Sequence, residues 1–270
     1  SFPFDIEYRN IHFNGQFVWR YYDGGIRAEY GSGAWKDHEG TLVRGRGYIF
    51  QGSKDGTLTL TVPDASISGS NYMVALETHI TTNMQDASWN LVGNPFTSFY
   101  ELADLGYNAP ITVWNGSTYV AYSPQDDDLT LHPFQAFFVQ KPTTADAVEF
   151  LAQFRETLNQ ATDAANRQAA QARRKARARG SVVRHIINLE VSDGETSDAT
   201  RIVFNPQRSD AYELECDAAK FFSTDAPQLF SVDAAGAQYA INERAEGDGT
   251  VQLGFTAQHA GEFTITATRL

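Results

Sequence analysis

The stretch Gln160 to Gly180, QATDAANRQAAQARRKARARG, constrains this chain more than any other, because every apolar residue in it is alanine. Six basic residues (Arg167, Arg173, Arg174, Lys175, Arg177, Arg179) stand there against one acid, Asp163. A core needs larger apolar side chains, so none can run through it. Alanine, glutamine and arginine are strong helix formers, and the expected form is an exposed basic Ala/Arg-rich helical connector. The 270 residues then divide into a first domain at 1–157, a connector at 158–180 and a second domain at 181–270.

Both flanks read as β. Short runs rich in aromatic and β-branched residues, bounded by Gly, Asp, Asn or Pro, mark strands and turns. From Phe4 to Tyr30 they are FDIEY, IHF and FVWRYY, the last running into Asp23-Gly24-Gly25. A glycine-punctuated loop carrying Trp35 follows, then TLVRGRGYIFQ and TLTLTV as strands. YMVALETHI fits a strand or a short helix by pattern and its position among strands favours a strand, WNLVG reads as a buried strand ending at Pro95, and FYELADLG as one or two helical turns. ITVWNGSTYVAY is the clearest hairpin, since Asn115-Gly116 suits the positive φ of a tight turn. TLHPFQAFFVQKP and AVEFLAQF complete the first block.

Beyond the connector, SVVRHIINLEVS, RIVFNP, YELECD, KFF, QLFSVD, QYAIN, VQLGF and EFTITAT recur at sandwich spacing. The expected fold class is all-β: two β-sandwich-like domains, immunoglobulin- or jelly-roll-like, without the Cys and Trp landmarks of true immunoglobulin domains.

Composition bounds the partners. The chain is 42% hydrophobic and 13% aromatic, enough for a large core. Its net charge is −12; the stretch Gln160–Gly180 carries +5, leaving −17 elsewhere. Such a body repels phosphate backbones, so nucleic acid is not an expected partner. A single cysteine, Cys216, allows no internal disulfide and reads as a small core residue. No apolar run approaches the ~18 residues of a membrane span. The opening SFPFDIEYRN lacks a leader and EFTITATRL stops inside a strand, so the expectation is a piece of a longer protein.

No reaction is spelled out. His79 has no second histidine at zinc spacing, and the six histidines are scattered; no metal, cofactor or catalytic residue is assigned. Gly45-Arg46-Gly47 runs into a strand and opens no helix, unlike a phosphate cradle. Asp126, Asp127 and Asp128 lack the spaced calcium pattern and read as a solvated turn, with calcium binding left open. The best hint of binding is aromatic. Trp19 and Tyr21 share one face of a strand, and Trp35 sits in the Gly-rich loop; these three are the candidate ligand-binding residues, against a core-packing reading that β domains favour.

Taken together, SFPFDI, FVWRYYDGGIRAEYGSGAWKD, LVRGRGYIFQ, WNLVGNPFTSFYEL, ITVWNGSTYVAY and PFQAFFVQKP, followed by RIVFN, YELECDAAKFFS, PQLFSVD, YAINER and VQLGFTAQHAGEFTI, resemble the β-rich C-terminal regions of large secreted or cell-surface proteins of Bacteroidetes-type bacteria. The resemblance implies export to the extracellular space or outer surface, neighbouring domains in a longer chain, and no assigned site. The expected function is a non-catalytic ectodomain segment, structural or adhesive, with a glycan or host protein as partner. The alternative is an accessory module of a secreted polysaccharide-degrading enzyme.

Overall fold

The structure, a computed structural model, describes residues 1–62, 69–157, 160, 165, 168–169, 171–173, 182–246 and 249–269. It is built mainly of strands, as the alternating aromatic and β-branched segments require. The helical connector expected at 158–180 lies outside the described residues except at 160, 165, 168–169 and 171–173, which are helical. Contacts group the chain into two units: Ser1–Asn108 with Pro124–Arg177, and Ala109–Ser123 with Ala178–Leu270.

The first unit is assembled from small antiparallel sheets. The strand Phe17–Tyr22 is flanked by Trp35–His38 and Ile49–Gly52, so Trp35 lies in a strand where sequence patterning expects a loop. Trp89–Gly93 pairs with Ala136–Gln140, and Tyr72–Ala75 with Ala147–Phe150. Phe99–Glu101 lies between Thr130–Leu131 and Arg155–Glu156, and runs into a 3-10 turn at Leu102–Asp104. Phe96, Tyr100, Phe137 and Phe150 are sealed in the interior. Burying each contributes on the order of 1.5–3 kcal/mol.

One local expectation is overturned here. The pattern from Phe4 to Tyr30 reads as strands and turns, yet Gly24–Tyr30 is an α-helix. Asp23 caps it by accepting hydrogen bonds from the N–H groups of Gly25 and Ile26, and Gly31 ends it with φ +70°. Two turns of helix are too short to show a 3.6-residue period, so only the caps could have revealed it. Gly24 has a further reason: a Cβ there would meet the Trp89 carbonyl oxygen at 2.0 Å.

Among the described residues, the second unit is built around one mixed sheet, with the hairpin Ile111–Trp114 and Tyr119–Tyr122 lying outside it. Its path runs Gln252–Thr256, Gln228–Val232, Gln238–Arg244, Ser197–Phe204, His185–Ser192 and Thr264–Arg269, with Ala218–Ala219 pairing Gln238–Arg244 off it. Ser197–Phe204 and Gln238–Arg244 are parallel; the remaining pairs are antiparallel. Flat, six strands would separate the edges by about 24 Å. The rings of Phe255, on one edge, and Phe263, beside the other, are 5.2 Å apart, so the sheet curls until its edges approach.

The hairpin Ile111–Trp114 and Tyr119–Tyr122 has the expected turn: Gly116 has φ +111° and Asn115 Oδ1 accepts from the N–H groups of Ser117 and Thr118. Within the second unit, Ala121 packs on Ala218, Ala240 and Ile241. Tyr212–Asp217 is a turn rather than the expected strand, because the Glu213 carbonyl accepts from the N–H groups of Cys216 and Asp217 while Asp217 Oδ2 accepts from the Glu213 N–H. Lys220–Phe222 is likewise no strand; the Lys220 side chain turns inward to a buried carboxylate.

Candidate functional site

A concavity of about 320 Å³ opens in the first unit, at the low end of the ~300–1,000 Å³ usual for ligand sites. Its floor is the strand Trp89–Gly93. Residues 45–47 lie along that strand: the Gly47 N–H donates to the Leu91 carbonyl at 2.9 Å, the Gly93 N–H donates to the Gly45 carbonyl at 2.8 Å, and Arg46 bridges to Val92. Glycine permits this approach. A Cβ on Gly47 would sit 2.4 Å from Leu91 Cγ, and one on Gly45, at φ +75°, 2.6 Å from Val74 Cγ2. The RGRG sequence thus delivers Arg44 and Arg46 to the cavity lining.

Arg44 is rigidly held. Its N–H donates to Asp5 Oδ1 at 2.7 Å, its carbonyl accepts from the Tyr72 hydroxyl at 3.1 Å, and its guanidinium lies 4.1 Å from the Tyr72 ring centre and 5.7 Å from that of Phe96. Nε reaches the Pro95 carbonyl at a long 3.4 Å, and the buried Nη2 has no hydrogen-bond partner. Burial lowers the Arg44 pKa, against the pull of Tyr72 and Asp5, but a guanidinium remains charged. Arg46 stacks over Tyr21 at 4.8 Å.

The other wall is the strand Tyr72–Ala75, continued by Glu77. Asn90 ties it down: Nδ2 donates to the Glu77 carbonyl at 3.0 Å and Oδ1 accepts from the Glu77 N–H at 2.8 Å. Trp89 is anchored by a 2.8 Å bond from Nε1 to the Gln85 carbonyl. Val43 and Met73, 42% and 63% exposed, give the cavity an apolar edge. The arrangement offers two cationic forks beside aromatic and aliphatic surface, a combination that can hold an anionic oxygen pair carried on an apolar body.

The three residues singled out by patterning lie elsewhere or beneath. Trp19 is 3% exposed, in a core cluster with Ile6, Ile11 and Leu42. Tyr21 is half-buried and supports Arg46 from behind. Trp35 is half-buried, edge-on to Tyr22 and Phe138. The arginines were missed because nothing in LVRGRGYIF distinguishes a cavity lining from a strand face. The alternation of Arg with Gly was the available signal.

Three other charged clusters are internal to their units. In the first, Asp104 accepts both guanidinium bonds of Arg173, whose guanidinium also lies 5.2 Å from the Phe154 ring centre. Burial raises the pKa values of neighbouring Glu101 and Glu156. In the second unit, Lys220 pairs with Asp198, and Glu243 gathers Arg184, Arg208 and Asn205. Cys216 is a buried free thiol whose pKa burial pushes up. Among the described residues, no group of three or more His, Cys, Asp or Glu side chains is placed to hold a metal ion. No helix of the described residues is long and apolar enough to cross a membrane.

Compared with known proteins, the chain matches no family model, no curated protein and no solved structure.

Proposed function

We propose that the chain is a non-catalytic recognition segment of an exported bacterial surface protein, with two β-sandwich-like domains joined by the basic connector and a glycan as ligand. The observation that carries this reading is the concavity, where Arg44 and Arg46 supply hydrogen-bond donors, half-buried Tyr72 lies against Arg44, and Met73 and Val43 form an exposed apolar rim. Glycan recognition pairs apolar ring faces with such surface and hydroxyl groups with fixed polar atoms. The tight glycine-mediated packing of the arginine segment supports a preformed site, which binds without first paying to order itself. The resemblance of the sequence to β-rich regions of surface proteins supports the extracellular location and the adhesive role.

A glycan array probed with the purified chain, alongside Tyr72→Ala and Trp35→Ala variants, tests the reading. Binding lost in Tyr72→Ala and kept in Trp35→Ala, with both variants folded by circular dichroism, supports recognition at the concavity. An array silent at high protein concentration refutes it.

A further inference from the structure

We infer that the concavity is a carboxylate site and that its ligand is a uronic acid residue of an acidic glycan, an inference that rests on the recognition role proposed above. The charge balance of the chain points to this ligand. The chain has 33 acidic against 21 basic residues, so an arginine has carboxylates to spare. Arg20, Arg27, Arg173, Arg184 and Arg208 each reach one. Among the described residues, Arg44, Arg46, Arg155 and Arg269 form no ion pair, and of these Arg44 and Arg46 share the lining of one cavity. Asp5 acts on Arg44 electrostatically, but its Oδ1 is engaged by the Arg44 backbone N–H rather than the guanidinium.

The face of the Arg44 guanidinium is covered by Tyr72, which leaves its in-plane N–H edge to make contacts, and on that edge Nη2 is buried without an acceptor. Nη2 itself is closed off, but Arg44 is only half-buried and lines the cavity, so a carboxylate there would accept charge-assisted bonds from the remaining in-plane N–H groups. Guanidinium and carboxylate are planar forks of matching width.

Charge also separates a uronate from more highly charged ligands. Glu77 also lines the cavity, and the chain carries −12 overall. Both penalise each added negative charge, so a single carboxylate is favoured over phosphate. Val43, Met73 and Leu91 suit the C–H faces of a sugar ring.

Calorimetric titration of the full chain with galacturonate, its methyl ester and neutral galactose decides the matter. The acid is expected to bind at least about tenfold more tightly than the ester or the neutral sugar, because a site built around paired donors rejects ligands that leave them unpaired. Arg44→Lys, which keeps the charge and loses the fork, is expected to weaken uronate binding by about tenfold or more. Arg46→Gln should also weaken it, and it carries the decision if Arg44→Lys fails to fold. Equal binding of the three sugars overturns the carboxylate assignment and leaves the glycan reading standing. Preference for a sulfated over a carboxylated galactan overturns the assignment too. If no sugar binds, both readings fall.

Discussion

Lys220 Nζ lies 2.5 Å from Asp198 Oδ2, with the two side chains 0% and 1% exposed. Asp198 also accepts hydrogen bonds from the Leu229 N–H and the Thr118 hydroxyl, so one carboxylate joins three separate segments of the second unit. Burial lowers the Lys220 pKa, while Asp198 opposes the shift.

Replacing Asp198 with Asn therefore strands a cation in the interior. We expect Asp198→Asn to destabilise the second unit by about 3–5 kcal/mol, whereas Lys220→Met combined with Asp198→Asn recovers part of that loss. Urea denaturation of the single and double variants measures the difference. Equal stability of wild type and Asp198→Asn would show that the pair is dispensable.

Asp217 gives a pH dependence. Burial pushes its pKa up to about 7 from 3.8, with Glu213 and Glu243 pushing the same way and the backbone N–H groups of Glu213 and Glu243 pulling it back. A raised carboxyl binds its proton more tightly in the folded state, so its stabilising contribution is complete below about pH 4 and is lost as pH rises through about 7. Glu101 and Glu156, also raised by burial, act in the same direction. Thermal unfolding between pH 5 and 8 should show a declining midpoint, and Asp217→Asn should flatten the decline. A midpoint that rises over this interval contradicts the assignment.

Arg173 is the partner of Asp104, which is 1% exposed. Arg173→Ala leaves that carboxylate beside Glu101 and Glu156, and we expect a loss of roughly 3 kcal/mol at neutral pH, the low end for a broken buried pair because Arg173 is partly exposed. The loss should shrink at pH 4, where Glu101 and Glu156, both raised by burial, take up protons and no longer repel Asp104. Stability curves at the two pH values check this, and a pH-independent loss would point to packing on Phe154 instead.

The short helix depends on its start. Asp23→Ala removes the cap and should cost about 1 kcal/mol. Gly24→Ala places a methyl group 2.0 Å from the Trp89 carbonyl oxygen and should cost about 1–3 kcal/mol through forced displacement. Chemical denaturation ranks them; Gly24→Ala as stable as wild type would mean the helix can shift away from the strand.

How far the sequence speaks can be judged residue by residue. The β character, the Asn115-Gly116 turn, the long strand His185–Ser192 and the RIVF end of Ser197–Phe204 were legible, because alternation and turn chemistry act between near neighbours. The helix Gly24–Tyr30 was not, since its evidence is two capping residues rather than a period. Nor was the turn at Tyr212–Asp217, where side-chain carboxylates compete with the strand ladder for backbone N–H groups.

Tertiary structure alone decided which polar groups meet. Trp19 looks like a binding residue in FVWRYY and is core because Ile6, Ile11 and Leu42 close over it. Arg44 and Arg46 look like surface and become a cavity wall because the two glycines let their segment lie against Trp89–Gly93. The strand-rich character of this protein follows from local propensity, which needs only adjacent residues. The location and charge of its cavity required contacts between residues distant along the chain, which no local pattern encodes.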